Sequence, residues 1–272
     1  ANLDAKDSRG RAPLHIAALM GFKFQVEMLL AGGANIEARD DQEATPLILA
    51  LSAGAVESAK ALLAAGAQVN VHRRDGHTPL HFAQSEGKIA DLLIAEGADV
   101  NAKTNYGNTP LMTALSVFNV LSRRPEMAGK FITKNTAIEA KGADGRIMAA
   151  AALHRQLEFV RLLIDKGADV NAKNNDGTTP LLMAANYGNA KVAELLIDKG
   201  ADVGARNNAG ETPLLVAAYL GHSDVVALLI TKGADIKATN DHKMTALMTA
   251  EARGNVEAVR LLSAATALQK RR

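Results

Sequence analysis

The residues best suited to proton transfer or metal ligation near neutral pH are seven histidines: His15, His72, His77, His81, His154, His222 and His242. Their spacing serves neither task. No His-Glu-x-x-His pair occurs, and a chain without Cys has no Cys/His cluster, no thiolate nucleophile and no disulfide. The phosphate loop Gly-x-x-x-x-Gly-Lys-Ser/Thr and the nucleophile elbow Gly-x-Ser-x-Gly are both missing from the sequence. Carboxylates are plentiful, but Asp99, Asp169, Asp202 and Asp235 recur at corresponding places in a longer pattern. That marks a structural position, not an acid and base converging on one bond. These residues point away from an enzyme, and no cofactor or metal is expected.

The longer pattern is the main feature of the chain. The block from Asp169 through Pro180 to Ala185 returns, lightly edited, from Asp202 to Ala218. The place of Pro180 is held in turn by Pro13, Pro46, Pro79, Pro110, Ile147, Pro180, Pro213 and Ala246, at intervals of 33, 33, 31, 37, 33, 33 and 33 residues. About eight repeats therefore fill residues 1–272.

Each part of the period has a physical reason. Thr-Pro, as in Thr45-Pro46, Thr78-Pro79, Thr109-Pro110, Thr179-Pro180 and Thr212-Pro213, starts a helix. The hydroxyl caps free N–H groups, and proline takes the first helical position, where its missing N–H costs nothing. Leu-x-x-Ala-Ala then supplies a short helix whose alanines allow close packing. Gly188 and Gly221 turn the chain into a second helix carrying Leu-Leu, as at Leu195-Leu196 and Leu228-Leu229. Gly66, Gly97, Gly167, Gly200 and Gly233 end that helix in the left-handed conformation. Asp-Val-Asn-Ala follows as a short extended arm, closed by turns such as Asp75-Gly76 and Asp176-Gly177.

These residues resemble the ankyrin repeat. The stretches from His77 to Ala83 and from Gly97 to Ala102 match its Thr-Pro-Leu-His-x-Ala and Gly-Ala-Asp-Val-Asn signatures nearly letter for letter. The resemblance implies an all-α fold with short β-hairpin-like arms: a solenoid of stacked helix–turn–helix units spanning residues 1–272 as a single domain. It also implies that His15 and His81 hydrogen-bond neighbouring turns.

Departures from the pattern fall mainly in repeat 4. Its first helix, from Leu111 to Leu121, runs into an insertion of about five residues near 121–130 that includes Arg123 and Arg124. Its second helix ends at Asn135 where the others have Gly. Three readings of the insertion stand: a tolerated surface loop, a partner-contacting bulge, or a hinge. Repeat 8, residues 246–272, has Glu251 at an alanine position and a second helix without terminal Gly, as expected of a polar cap. The chain opens at Ala1 on the arm of a repeat whose helices would precede it. Either a signal peptide has been removed or the chain has been trimmed. Export would place the protein in a periplasm or outside the cell, and otherwise it is cytoplasmic.

The resemblance implies a protein-binding module whose concave face and turn tips carry the contacts. Transferred residue by residue, its exposed first-helix positions are Leu19, Met20, Ser85, Glu86, Asn186, Tyr187, Tyr219, Leu220, Ala252 and Arg253. The turn-tip positions include Arg73, Arg74, Tyr106, Asn174, Asn175, Asn207 and Asn208, with His77, Asn108, Thr178 and Glu211 after the turn. All three tyrosines fall in this set, and Tyr buries area while keeping a polar tip. Phe22 extends Leu19-Met20 into an apolar cluster that either meets a partner or packs on an N-terminal cap. From these positions the contacts are expected at Tyr187, Tyr219, Leu220, Asn186, Ser85, Glu86, Leu19, Met20, Phe22, Arg73, Arg74, His77, Tyr106, Asn108, Arg123, Arg124 and Glu211.

Bulk properties narrow the partner. Apolar residues make up 48% of the chain, which argues against disorder. Net charge is +2 without a long basic run, which disfavours nucleic acid. No apolar stretch approaches a membrane-spanning length. The expected partner is a protein bound by a monomer. Its sharper form is an enzyme whose active site this chain covers, as an inhibitor or immunity protein of a bacterial envelope. The alternative is an intracellular scaffold or a fragment of a secreted, host-directed effector.

Overall fold

A computed structural model describes residues 2–83, 87–123 and 145–269. The described residues form fourteen helices: α1 (Pro13–Met20), α2 (Lys23–Ala31), α3 (Pro46–Ser52), α4 (Val56–Ala64), α5 (Pro79–Phe82), α6 (Gly87–Ala95), α7 (Pro110–Arg123), α8 (Gly145–Asp165), α9 (Pro180–Tyr187), α10 (Ala190–Asp198), α11 (Pro213–Leu220), α12 (Ser223–Thr231), α13 (Ala246–Arg253) and α14 (Val256–Gln269). The chain divides into two compact units, Ala1–Ala168 and Asp169–Arg272.

Most first helices begin where the period places them. Thr45, Thr179, Thr212 and Thr245 each accept a hydrogen bond at the side-chain oxygen from the backbone N–H three residues on. The leucine after each proline is sealed: Leu14, Leu47, Leu80, Leu111, Leu181 and Leu214 are all buried. So are Leu62, Leu93, Leu163, Leu196, Leu229 and Leu262 of the second helices. Ala17, Ala18, Ala184, Ala185, Ala217 and Ala218 are buried between neighbouring first helices, where a larger side chain would hold the backbones apart. Within each unit, consecutive first helices pack on one another and second helices form the adjoining layer, as α1 on α3 and α2 on α4, or α11 on α13 and α12 on α14.

Repeat 5 departs from two helices per repeat. Gly145–Asp165 is one unbroken helix of 21 residues, because Arg155 stands where most other repeats have a glycine. Gly188, Gly221 and Gly254 take φ of 71°, 76° and 69° at that turn, a conformation that L side chains resist. Without that residue the helical hydrogen bonds simply continue.

The arms are held to one another by backbone bonds more than by strand pairing. Among the described residues only one isolated bridge, Thr239 with Thr245, has β character. Turn tips instead donate an N–H to the preceding tip: Asp41 to Arg9, Arg74 to Gln42 and Asn105 to Asp75 in the first unit, Asn208 to Asp176 and Asp241 to Ala209 in the second. The asparagine of Asp-Val-Asn adds a side-chain link. Asn70 Nδ2 donates to the Gly97 carbonyl at 2.8 Å while its Oδ1 accepts the Asp99 N–H at 2.8 Å. Asn171 does the same to Gly200 and Asp202. The recurring asparagine is therefore an inter-repeat bracket, which accounts for its place in the period.

Candidate functional site

In the Asp169–Arg272 unit the last turns of α9, α11 and α13 carry the residues expected at a partner surface. Left-handed glycines terminate these helices, so each presents its final pair of side chains at the same level. The carbonyls freed at the helix ends are taken up by the next repeat. His222 Nε2 lies 3.2 Å from the Asn186 carbonyl, and Asn255 Nδ2 donates to the carbonyls of Ala218 and Tyr219 at 2.8 and 2.9 Å. A Cβ at Gly188 would lie 2.6 Å from the His222 ring, so the bracket and the glycine require each other. These bonds fix the backbone beneath Asn186, Tyr219 and Leu220.

On that support Tyr219 is 45% exposed and Leu220 38%, with Asn186 exposed beside them. Tyr187, expected to stand free with them, is half-buried and engaged with other residues. Arg253, at the end of α13, places its guanidinium 4.4 Å from the Tyr219 ring centroid, a cation–π stack. Glu211 is half-buried, with Oε2 accepting from Asn207 Nδ2 at 2.8 Å.

The turn asparagines prove to be structural. Oδ1 of Asn174 accepts the N–H groups of Asp176 and Thr178, and Oδ1 of Asn207 accepts those of Ala209 and Glu211. Asn240 repeats the arrangement with His242 and Met244. Asn175 and Asn208 are exposed at the tips.

In the Ala1–Ala168 unit the expected contacts divide into two kinds. Arg74 and Tyr106 are exposed at turn tips, with Tyr106 68% accessible. Arg73 and His77 are half-buried and turned onto their own repeat. Arg73 pairs with Asp75 at 2.8 Å and lies 5.9 Å over the Phe82 ring. The His77 ring sits 5.4 Å from Phe82 and 5.2 Å from His81. Phe82 is a half-buried ring where no other repeat carries an aromatic, which gives Arg73 and His77 something to cover. Asn108 is half-buried, with its N–H bonded to Thr104 Oγ1 and its carbonyl to His81. Near the N-terminal end Leu19 is half-buried while Met20 and Phe22 are exposed, joined by Phe24 and Met28 of α2. Ser85, Glu86 and Arg124 lie outside the described residues, as do the side chain of Arg123, the rest of the insertion and the Asn135 cap.

The buried histidines have structural partners. His15 Nδ1 accepts the Ala12 N–H at 3.1 Å and Nε2 donates to the Ala44 carbonyl at 3.0 Å. His81 does the same with Thr78 and Asn108. Both rings are thereby held neutral. Burial pushes the His15 pKa below its ordinary value and that of His81 down to about 4. Among the described residues no group of three His, Cys, Asp or Glu side chains is arranged to hold a metal ion. No described helix is long and apolar enough to cross a membrane.

The position of Arg253 was legible in the sequence as the residue before a turn glycine, but its stack on Tyr219, 34 positions earlier, was not. Met244, His242 and Leu215, which border the same region, carried no signal beyond their place in the period.

Comparison with known proteins agrees with this architecture. The crystal structure of the human ASB11 ankyrin repeat domain superposes with a TM-score of 0.71 at 25% identity, covering 94% of this chain and 98% of that one. The ankyrin repeat domain of Bcl-3, described as a unique member of the IkappaB protein family, gives a TM-score of 0.69 at 26% identity, covering 93% and 100%. In sequence, a 37-residue segment is 54% identical to ankyrin repeat and MYND domain-containing protein 1 of Mus musculus, spanning 14% of this chain and 4% of that protein. The family described as "Ankyrin repeats (3 copies)" matches residues 1–73, 65–125, 120–207, 147–240 and 200–271. With capped helices, left-handed glycines and bracketing asparagines at the period of those repeats, this chain belongs to the ankyrin-repeat family, whose members generally mediate protein–protein interaction.

Proposed function

We propose that the chain is a binding protein, without catalytic activity of its own, that holds a folded protein partner against the first-helix and turn-tip side of its repeats. The observation that carries this is the surface at Asn186, Tyr219 and Leu220. An aromatic ring and an aliphatic side chain are left open to solvent there, on backbone that the next repeat pins from behind. Rigid, partly exposed aromatics lose little entropy on contact and concentrate binding energy. Arg74 and Tyr106 at the tips of the first unit are further contacts under this reading, and Met20 and Phe22 form a secondary patch. The eight repeats serve as one binding module, monomeric until the partner is bound. A partner of enzymatic type, inhibited because this surface covers its active site, is the specific form we favour. The buried rings of His15 and His81 are taken up by backbone bonds, so neither is part of this surface.

The test is partner capture with the whole chain as bait. Changing Asn186, Tyr219 and Leu220 together to Ala should abolish capture, since losing a hot-spot aromatic typically costs about 2 kcal/mol, roughly 30-fold in affinity. Tyr187 is left intact because its ring is half-buried. Circular dichroism and the melting temperature should stay close to the parent. Undiminished capture by the triple variant rules this surface out.

A further inference from the structure

Beside Tyr219 the Asp169–Arg272 unit has a cleft of about 350 Å³, closed by α11, α13 and the turn at 240–244. Its apolar wall is Met244 and the Tyr219 ring, with the buried Leu215 beneath, and its polar rim is Arg253, His242 and Glu211. The two opposite charges there are not equivalent. Glu211 already accepts from Asn207 within its own turn. The Arg253 guanidinium makes no hydrogen bond or ion pair among the described residues; its contact is with the Tyr219 ring, over which Cζ lies 4.4 Å from the centroid. A cation–π contact is not a conventional hydrogen bond, so the guanidinium keeps the forked N–H donors that match a carboxylate. The cleft thus offers one oriented, unspent cation beside a small apolar wall.

We propose that this cleft is the subsite for an acidic peptide segment of the partner. An Asp or Glu carboxylate is held by Arg253, and a neighbouring Leu, Met or Phe side chain lies against Met244 and the Tyr219 ring. The proposal rests on the binding reading above and names the chemistry that one part of that surface selects. Charge complementarity favours a single carboxylate over a doubly charged phosphate. Only one arginine faces the cleft, and the Glu211 carboxylate on the same rim opposes a second negative charge. The volume lies at the lower end of the roughly 300–1,000 Å³ of small-ligand pockets, room for one or two side chains. The cleft is continuous with the exposed Tyr219–Leu220 edge, so a segment seated in it remains attached to a partner lying across α9 and α11.

The experiment is selection from a phage-displayed random dodecapeptide library on the intact chain, followed by fluorescence polarisation with the leading peptide. The selected sequences should pair Asp or Glu with a bulky apolar neighbour. Arg253→Gln should weaken the leading peptide about tenfold or more, as should Gln in place of its acidic residue, and the two changes combined should cost little more than either alone. Arg253→Glu should recover binding of the peptide in which Lys replaces the acid. Arg253 is exposed, and the melting temperature checks that both variants fold. Absence of enrichment, enrichment without an acid, or equal affinity of Arg253→Gln for the peptide overturns the subsite. The Asn186, Tyr219, Leu220 triple variant separates the two readings. If it loses the captured partner while Arg253→Gln keeps both peptide and partner, the carboxylate subsite fails and the binding surface stands. If neither variant changes peptide or partner binding, both readings fail.

Discussion

His81 shows how one residue ties the stack to pH. Its ring is 1% exposed and accepts the Thr78 N–H at Nδ1 while donating at Nε2, so a second proton at Nδ1 displaces the Thr78 N–H and places a charge in a buried site. The folded-state pKa near 4 lies below the ordinary value of 6.5, so between those values the unfolded chain binds more protons than the folded one. Stability is therefore complete above about pH 6.5 and falls as the pH drops towards 4, by about 3 kcal/mol at most from this ring. His15, shifted in the same direction by burial, adds to the loss. Urea titrations from pH 7.5 to 4.5 should show a falling midpoint, and His81→Gln should flatten the curve while lowering stability at pH 7.5. A midpoint independent of pH in the parent would mean that these rings titrate normally.

At the scale of elements, the repeat unit is too small to bury a core alone, so each helix pair depends on its neighbours. The C-terminal pair α13 and α14 covers the outward side of α11 and α12, where Leu215, Ala218 and Leu229 are now sealed. Glu251 stands exposed on α13 where α11 has the buried Ala218, as suits the last layer of a stack. Deleting residues 246–272 should uncover those apolar side chains. Light scattering is expected to show aggregation, and the cooperative thermal transition should fall by many degrees. A soluble, monomeric truncation would show that Glu251 and its helices are not a cap. The turns tolerate more. Glu43 and Lys243 take φ of 60° and 61° where other repeats use Gly, so the hydrogen bonds of the turn outweigh roughly 1 kcal/mol of strain.

At the scale of the molecule, exposed apolar side chains gather around α1 and α2. Met20, Phe22, Phe24 and Met28 are between 48 and 67% exposed there. Offset by one period, Phe24 and Met28 correspond to Glu57 and Ala61 of α4, so the face carries more apolar bulk than its interior counterpart. Phe24→Glu with Met28→Glu should raise solubility in ammonium sulfate and leave the melting temperature nearly unchanged, since neither side chain is packed. A large drop in melting temperature would reveal packing at that end. The absence of Cys keeps thiol–disulfide exchange out of all these measurements.

The period, the helix starts, the left-handed glycines and the family resemblance were legible in the residues alone, because caps and turns act through bonds only a few positions apart. The placement of residues such as Tyr219 and Leu220 at first-helix ends was legible for the same reason, since a residue before a turn glycine has its place set by that turn. Proximity across repeats was not legible. Arg253 reaches the Tyr219 ring, Asn255 reaches the carbonyls under it, and Arg73 and His77 turn inward onto Phe82, all through side-chain rotamers that spacing does not specify. The half-burial of Tyr187 and the unbroken α8 belong to the same class, since each depends on what surrounds the residue. A repeat sequence states where each side chain starts, and packing between repeats decides which of them remain available to a partner.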